Sequence, residues 1–232
     1  MIVPTVVALV GAAVAGAFAT QLVLQYRARR RHHALAWAMS LGLYAVGMVA
    51  LAAGFAGDWT PGWFTVYWLS GALLNVPLLG VGQLHLLDPA RAALWWTLGG
   101  LATVWALAAV LTTPVDAGAL AAADARGGIP IGADAYGDGL AWSVLRPLTI
   151  GGSVVVLAGS IWSGIRFRRA GVLLIALGVA VSASSSTFVR SGQDELVAVA
   201  LTIGVSIMYA GFRAASKPSR RAPVEEPAES EA

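Results

Sequence analysis

The chain contains no cysteine, a single lysine and few charged residues for its length. The absence of cysteine excludes disulfides, thiolate metal sites and thiol catalysis. The lysine, Lys217, follows the last apolar stretch, so it cannot form the intramembrane Schiff base that binds retinal. Charged residues make up 12% of the 232 residues, which is about half the usual share in a soluble domain. The composition therefore argues against a soluble fold.

Familiar catalytic motifs are also missing. The sequence has no His-Glu-x-x-His, no Gly-x-Ser-x-Gly and no Walker loop, which are typical of zinc proteases, serine hydrolases and nucleotide-binding proteins. No aspartate or glutamate lies at the centre of an apolar stretch. Because proton relays through a membrane use such carboxylates, the pattern argues against a proton-coupled transporter and leaves facilitated passage open.

Long apolar stretches dominate what is present. Hydrophobic residues make up 58% of the chain and the mean hydropathy is +0.74. A helix of about 20 apolar residues crosses a hydrocarbon core of about 30 Å, and lipid cannot satisfy an open backbone. We therefore predict an all-α, seven-helix membrane bundle with spans at residues 3–26, 34–55, 63–86, 92–112, 140–165, 171–190 and 195–213.

Basic residues predict the orientation of this bundle. Clusters after the first, fifth and seventh spans, together with Arg91, place 12 of the 15 basic residues on one side. The positive-inside rule makes that side cytoplasmic, so the N-terminus is expected outside and the C-terminus inside. The arginine- and alanine-rich composition indicates a bacterial plasma membrane. Because the basic residues lie at helix ends, we expect no binding of nucleic acid.

Two segments outside the spans differ in composition from the rest. Residues 113–139, rich in alanine, glycine and aspartate, predict a flexible, solvated outer loop of the membrane domain 1–213. Residues 214–232 are polar and predict a disordered cytoplasmic tail. We expect any signal from the membrane domain to pass to another chain, because the tail is too short for a signalling or catalytic domain.

Polar residues within the spans predict a ligand site. Gly178, Ser182, Ser186 and Arg190 recur every four residues and share one helix face. With polar residues of neighbouring spans they predict an outward-facing cleft, walled by Tyr67 and Trp68, for a small molecule or a lipid. The predicted ligand-binding residues are Asn75, Arg146, Ser182, Ser186, Arg190 and Asp194. Alternatively, the small residues only pack helices together, and Arg190 pairs with Asp194 or Glu195.

The histidines offer two further interpretations. His85 at the inner end of the third span could face His32 or His33, and such a pair can bind haem or a metal. His32 and His33 continue a basic run, so we instead expect them to be solvated and predict no cofactor. His85 and Asp88 could also act as a base and its orienting group, although Asp88-Pro89 reads more simply as a turn between helices.

Residues 29–114 resemble part of the seven-helix membrane input region of some bacterial histidine kinases. The resemblance is carried by the basic run before Ala36-Trp37, the apolar helix containing Tyr44, the segment Tyr67–Leu74 and the mid-helix Pro77. It implies a seven-helix sensory or ligand-responsive module. It transfers no binding residue, and these 232 residues contain no kinase domain.

Three functions are consistent with these patterns. The first is a non-enzymatic sensory or accessory module that acts through a partner membrane or cytoplasmic protein. The second is a small facilitative transporter, favoured by a possible three-plus-one-plus-three arrangement of spans and by Pro77. The third is a lipid-modifying enzyme that uses His85 and Asp88. Because catalytic motifs are missing, we favour the first.

Overall fold

The computed structural model describes residues 2–166 and 170–216. Within these ranges, seven helices are long and apolar enough to cross a membrane, and no strand occurs. They run Ile2–Arg29, His32–Ala56, Pro61–Leu87, Pro89–Thr112, Leu140–Arg166, Ala170–Arg190 and Asp194–Ser216, and they are called spans 1 to 7. Each boundary lies within a few residues of its predicted position. The prediction of an all-α, seven-helix fold is confirmed, and the chain is a multi-pass membrane protein.

The connections between spans define two ends of the bundle. The loop end carries connections 57–60, 113–139 and 191–193. The arginine end carries the connection 30–31, Asp88 and the last turns of spans 1, 5 and 7. Arg168, Arg169 and residues 217–232 of the predicted tail lie outside the described residues. Residues 214–216, which we assigned to the tail, complete span 7.

Six of the seven spans form a closed ring. Its members in spatial order are spans 1, 2, 3, 5, 6 and 7, and span 7 packs back against span 1. Span 4 lies outside the ring, against span 3 and the beginning of span 5. Only 22% of its most apolar window is buried in protein, the same share as in span 6 of the ring, against 50% for spans 2 and 3. Most of span 4 therefore faces lipid.

The middle of the ring is filled by side chains. Every ring helix contributes to the wall of a central cavity of only about 10 Å³. A water molecule needs about 10–15 Å³, so this cavity holds one water at most. The lining residues are Phe18, Trp37, Leu41, Leu79, Gln83, Val156, Ile175 and Met208. At this level the ring offers no room for a solute to pass.

Spans 3 and 5 both contain wide helical turns. Tyr67–Leu74 in span 3 and Arg146–Ile150 in span 5 are π-helical. Pro77 follows the first of them and has no N–H to donate to the preceding turn. Thr149 Oγ1 donates to the carbonyl of Ala72 at 2.6 Å, so one irregular segment supplies a donor to the other. Irregular backbone at membrane depth is stable only when neighbouring helices satisfy it in this way.

Glycines allow the same two spans to approach each other closely. A Cβ on Gly152 of span 5 would lie 2.8 Å from the carbonyl oxygen of Val76 in span 3. A Cβ on Gly80 would lie 3.3 Å from Cα of Gly152. Any side chain at Gly152 would separate the two backbones, and close backbone approach is a main source of packing energy between membrane helices.

The connection 113–139 is a folded cap, so the prediction of a flexible, solvated loop is wrong. It contains two short helices, Ala117–Ala125 and Gly132–Tyr136. Asp116 caps the first helix, because its carboxylate accepts a hydrogen bond from the backbone N–H of Ala119 at 2.8 Å. Apolar side chains of the cap are buried against the loop end, and they are Leu120, Ala123, Ile129, Ala135 and Tyr136.

Trp59, in the connection between spans 2 and 3, anchors the cap. Its backbone N–H donates to both carboxylate oxygens of Asp124, at 2.9 and 3.1 Å. Its indole N–H donates to the carbonyl of Gly128 at 3.0 Å. The Trp59 side chain is 4% exposed. Aspartates of this connection therefore act as structural hydrogen-bond acceptors.

Candidate functional site

The six predicted ligand-binding residues are divided between the interior and the surface. Asn75 and Asp194 are buried, with 6% and 8% of their surface exposed. Ser182 is half-buried. The exposed members are Arg146, Ser186 and Arg190. The six side chains therefore do not line one open cleft, and ligand binding by the exposed members stays a prediction.

The expected walls of that cleft belong to a packed aromatic cluster. The ring of Trp68 lies 5.9 Å from that of Phe64 and 5.8 Å from that of Tyr136, between centroids. Tyr67 lies 6.4 Å from Phe64. The Trp68 indole N–H is satisfied by the carbonyl of Ala141 at 3.2 Å. Aromatic side chains of span 3 thus dock the cap and leave no open wall there.

Asp194 joins the first turn of span 7 to the cap. Its carboxyl lies beside the backbone of Ile129 and near the guanidinium of Arg126. A Cβ on Gly128 would overlap the same carboxyl group. Arg126 in turn donates to the carbonyl of Ile129 at 3.1 Å. Asp194 Oδ1 is buried without a hydrogen-bond partner, so this contact is tightly packed but not fully satisfied.

The expected ion pair of Arg190 is not formed. In the part of the chain that the structure describes, the single ion pair within 4.0 Å joins Arg91 Nε to Asp88 Oδ2 at 3.4 Å, at the arginine end. Asp194 instead faces the cap, and Glu195 is exposed. The prediction of a local pair across the turn is therefore wrong, because the cap occupies the space around Asp194.

The small residues of span 6 pack against span 7 only in part. A Cβ on Gly178 would lie 2.5 Å from the carbonyl oxygen of Gly204. Ser182 also faces Gly204, and its hydroxyl lies beside that of Tyr44. Ser186 is exposed and donates to the carbonyl of Ala183 on its own helix at 3.0 Å. The packing interpretation therefore holds for the first half of the face.

A cavity of about 380 Å³ lies at the arginine end. It is formed where the corner between spans 1 and 2 meets the end of span 3. The corner contributes Arg30, Arg31, His32 and His33, and span 3 with the following turn contributes His85, Leu86 and Pro89. Small-molecule sites span about 300–1,000 Å³. The cavity is therefore large enough for a ligand, and none of the described residues that line it is acidic.

Arg30 shapes the corner of this cavity through its backbone. Its φ of +50° lies in the left-handed region, and it is the one non-glycine residue with positive φ in the described ranges. The guanidinium of Arg30 lies 5.7 Å from the ring centroid of Tyr26, within cation–π range. A non-glycine residue in this region costs about 1 kcal/mol or more. This left-handed conformation turns the chain within two residues and places Arg31 at the beginning of span 2.

Three rings from three spans meet at the inner wall of the cavity. His85 lies 5.5 Å from His32 and 5.1 Å from Trp96, between centroids. The Trp96 indole donates to His32 Nδ1 at 3.2 Å, which leaves His32 Nε2 as the other polar atom of that ring. His85 is 3% exposed, and neither of its ring nitrogens has a hydrogen-bond partner. His85 therefore faces His32, which was one of the two alternatives for this histidine, and the His32 side chain is also exposed, as expected.

The cavity suits an anion better than a metal or a catalytic pair. Asp88 pairs with Arg91, and both nitrogens of His85 lack a partner, so Asp88 does not orient His85 as a base. No group of three or more histidine or acidic side chains in the described ranges is placed to hold a metal ion. Two arginines and the beginning of a long helix instead favour negative charge. No family model, curated protein or solved structure matches the chain.

Sequence reasoning identified the histidines but missed the cavity. Arg30 and Arg31 were assigned only to membrane orientation, because a run of arginines after a span has that role by default. The signal that was available is the coincidence of Arg30, Arg31 and His85 at the same end of the bundle. Their convergence depends on the backbone conformation of Arg30, which no sequence pattern predicts.

Proposed function

We propose that the protein is a non-enzymatic, ligand-responsive membrane module that binds an anionic group at the arginine end and acts through a partner chain. The observation that carries this proposal is His85. It is 3% exposed, lacks a partner at both ring nitrogens and lines a cavity of about 380 Å³ beside Arg30 and Arg31. A buried polar group without a partner costs about 1–3 kcal/mol, so a ligand that supplies one is favoured.

The response follows from the position of His32. This residue is exposed and stacks over the buried His85, so a ligand that reaches His85 must move the His32 ring. That movement breaks the hydrogen bond from Trp96 in span 4 to His32. A ligand shifts an equilibrium only as far as it binds one state better than the other. The liganded state gains contacts with His85 and the arginines, and span 4 becomes free to move.

The output is passed to another protein. The arginine end is cytoplasmic by the positive-inside rule, which puts the cavity on the side where signalling partners are found. Span 4, which would report the movement, lies outside the ring with most of its surface free for a neighbouring chain. The resemblance of residues 29–114 to histidine kinase input regions supports a sensory role of this kind.

The two other functions have less support. A transporter needs a continuous polar path, and side chains from six spans close the middle of the ring around about 10 Å³. A lipid-modifying enzyme that uses His85 needs an orienting acid, and Asp88 is engaged by Arg91 at 3.4 Å. Neither alternative accounts for the buried, unpartnered imidazole.

The test is to purify the intact protein in mild detergent and to measure its thermal unfolding with inorganic phosphate, pyrophosphate and sulfate. Stabilisation of the wild type that is lost in His85→Leu supports the proposal. Mass spectrometry of proteins retained during the same purification tests the partner. The proposal fails if none of the three anions, and no retained anionic molecule, changes unfolding of the wild type.

A further inference from the structure

We infer that the anionic group is the phosphate of a membrane phospholipid, held in the cavity with its acyl chains along the neighbouring spans. This inference rests on the proposed function and names the ligand class of the same site. Three features of the site support it: the depth of the cavity, its apolar flank and the groups that face the phosphate.

The cavity lies at the depth of lipid headgroups. It is bounded by the last turn of span 1, the first turn of span 2 and the end of span 3. Tyr26, Trp95 and Trp96 lie at the same end, and tyrosine and tryptophan concentrate at the membrane–water interface. The Trp95 indole donates to the carbonyl of Asp88 at 2.8 Å, and this hydrogen bond holds the aromatic side chain beside the cavity. Phosphates of the bilayer therefore lie next to the opening.

One side of the cavity is apolar and exposed. Leu86 lines it and is 41% exposed, and the adjacent Leu87 is 39% exposed. Leu24 of span 1, near the same end, is 57% exposed. A soluble anion makes no favourable contact with this apolar surface. A phospholipid covers it with its acyl chains while its phosphate enters the polar part, and each buried CH₂ adds to the affinity.

The polar part offers donors suited to phosphate. Arg30 and Arg31 are exposed and line the cavity, and a guanidinium forms paired hydrogen bonds to phosphate oxygens. Arg31 is the N-cap residue of span 2, and its side chain makes no capping hydrogen bond. This 25-residue helix therefore begins among the lining residues of the cavity, where the helix N-terminus favours an anion, although the N–H of Ala34 is already bonded to the carbonyl of Arg31 at 3.0 Å. The buried His85 supplies the independent polar group that lacks a partner.

A matched set of variants separates this site from general attraction of the basic end to anionic lipid. Arg30→Gly removes one cation, and glycine suits a φ of +50°, so folding is retained. Arg31→Gln removes the second cation. Arg213→Gln is the control, because Arg213 lies at the same end on span 7, with its guanidinium 6.0 Å from the Tyr209 ring, and does not line the cavity. Thermal unfolding confirms that each variant is folded.

The experiment reconstitutes the full chain in nanodiscs of phosphatidylcholine with and without phosphatidylglycerol, and measures retained lipid by native mass spectrometry after transfer to detergent. We expect the wild type and Arg213→Gln to retain phosphatidylglycerol selectively. In Arg30→Gly and Arg31→Gln we expect about tenfold weaker retention, as for loss of a charged hydrogen bond. Equal loss in Arg213→Gln would overturn the inference in favour of diffuse surface attraction.

The outcome with soluble anions distinguishes the two proposals. If phosphate or pyrophosphate stabilises the protein through His85 and no phospholipid is retained, the lipid inference fails and the proposed function stands. If neither soluble anions nor anionic lipid bind in a manner that depends on Arg31 or His85, both fail.

Discussion

The imidazole of His85 lies nearly face to face with that of His32, at 5.5 Å between centroids and 26° between planes, although the two residues belong to different spans. The inner ring is 3% exposed and the outer one is exposed. His85 is thus buried without a hydrogen-bond partner. The exposed His32 ring covers it and can move aside. Because the ring nitrogens of His85 make no hydrogen bond within the protein, its replacement can separate binding from folding.

His85→Leu should leave the unfolding temperature of the unliganded protein unchanged or raise it, because an unsatisfied buried polar group is removed at similar volume. Stabilisation by phosphate or by anionic lipid should disappear. Gln83→Leu is the control, since Gln83 is 1% exposed with an unpartnered Nε2 but lines the central cavity instead. It should keep the ligand response. A large loss of stability in His85→Leu without ligand would instead indicate a structural role for the imidazole.

Asp124→Ala should release the cap. The variant removes the acceptor of the Trp59 backbone N–H, and an unpaired buried donor costs about 1–3 kcal/mol. Cleavage by trypsin after the exposed Arg126 should then be about tenfold faster or more, because proteolysis follows the population of the open form. Asp138→Ala, at an exposed aspartate of the same cap, should be cleaved at the wild-type rate. Equal cleavage of both variants would contradict anchoring by Trp59.

Asp194→Ala should loosen the cap from span 7. It removes a buried carboxyl that packs against Gly128 and the nearby charge that faces Arg126, so we expect a loss of about 1–3 kcal/mol. Glu195→Ala removes the same charge from the same helix end, where acidic residues interact favourably with the helix dipole, but at an exposed position. Its effect should stay below about 0.5 kcal/mol. Thermal unfolding and hydrogen exchange of residues 126–129 would measure both, and indistinguishable variants would show that the contact adds no stability.

Gly152→Ala should destabilise the contact between spans 3 and 5. The added methyl would lie 2.8 Å from the carbonyl oxygen of Val76, and overpacking of this kind costs about 1–3 kcal/mol. The neighbouring Gly151 has nothing within 4 Å of an added Cβ, so Gly151→Ala should be neutral or stabilise the helix by up to about 1 kcal/mol. The comparison requires only unfolding curves in one detergent. Similar losses in both variants would mean that the two spans are not held by this approach.

The spans could be predicted from the sequence because the physics that forms them is local. Lipid requires helical backbone along each apolar stretch, so hydropathy alone placed Ala170–Arg190 and Asp194–Ser216 to within a few residues. The cap could not be predicted in the same way. Its few apolar side chains, such as Leu120 and Ile129, are separated by alanine, glycine and aspartate, and they are buried only because Trp59 and Asp194 lie opposite them in space.

The predicted ligand site could not be derived fully from the sequence either, because it also depends on contacts between distant segments. Helical periodicity put Ser182, Ser186 and Arg190 on one face, yet which part of that face meets span 7 depends on the crossing of the two helices. Asp194 was expected to pair with Arg190 because they are close in sequence. The structure pairs it with the cap, whose folding the sequence did not indicate.

The cap has a consequence for how the protein is assembled. Trp59 emerges after the second span, its partners Asp124 and Gly128 emerge after the fourth, and Asp194 emerges only after the sixth. Because chains are synthesised and inserted from the N-terminus, the cap cannot complete its contacts until the seventh span begins. The cap is therefore expected to reach its full resistance to protease only after span 7 has been inserted, whereas its contacts with Trp59 can form earlier.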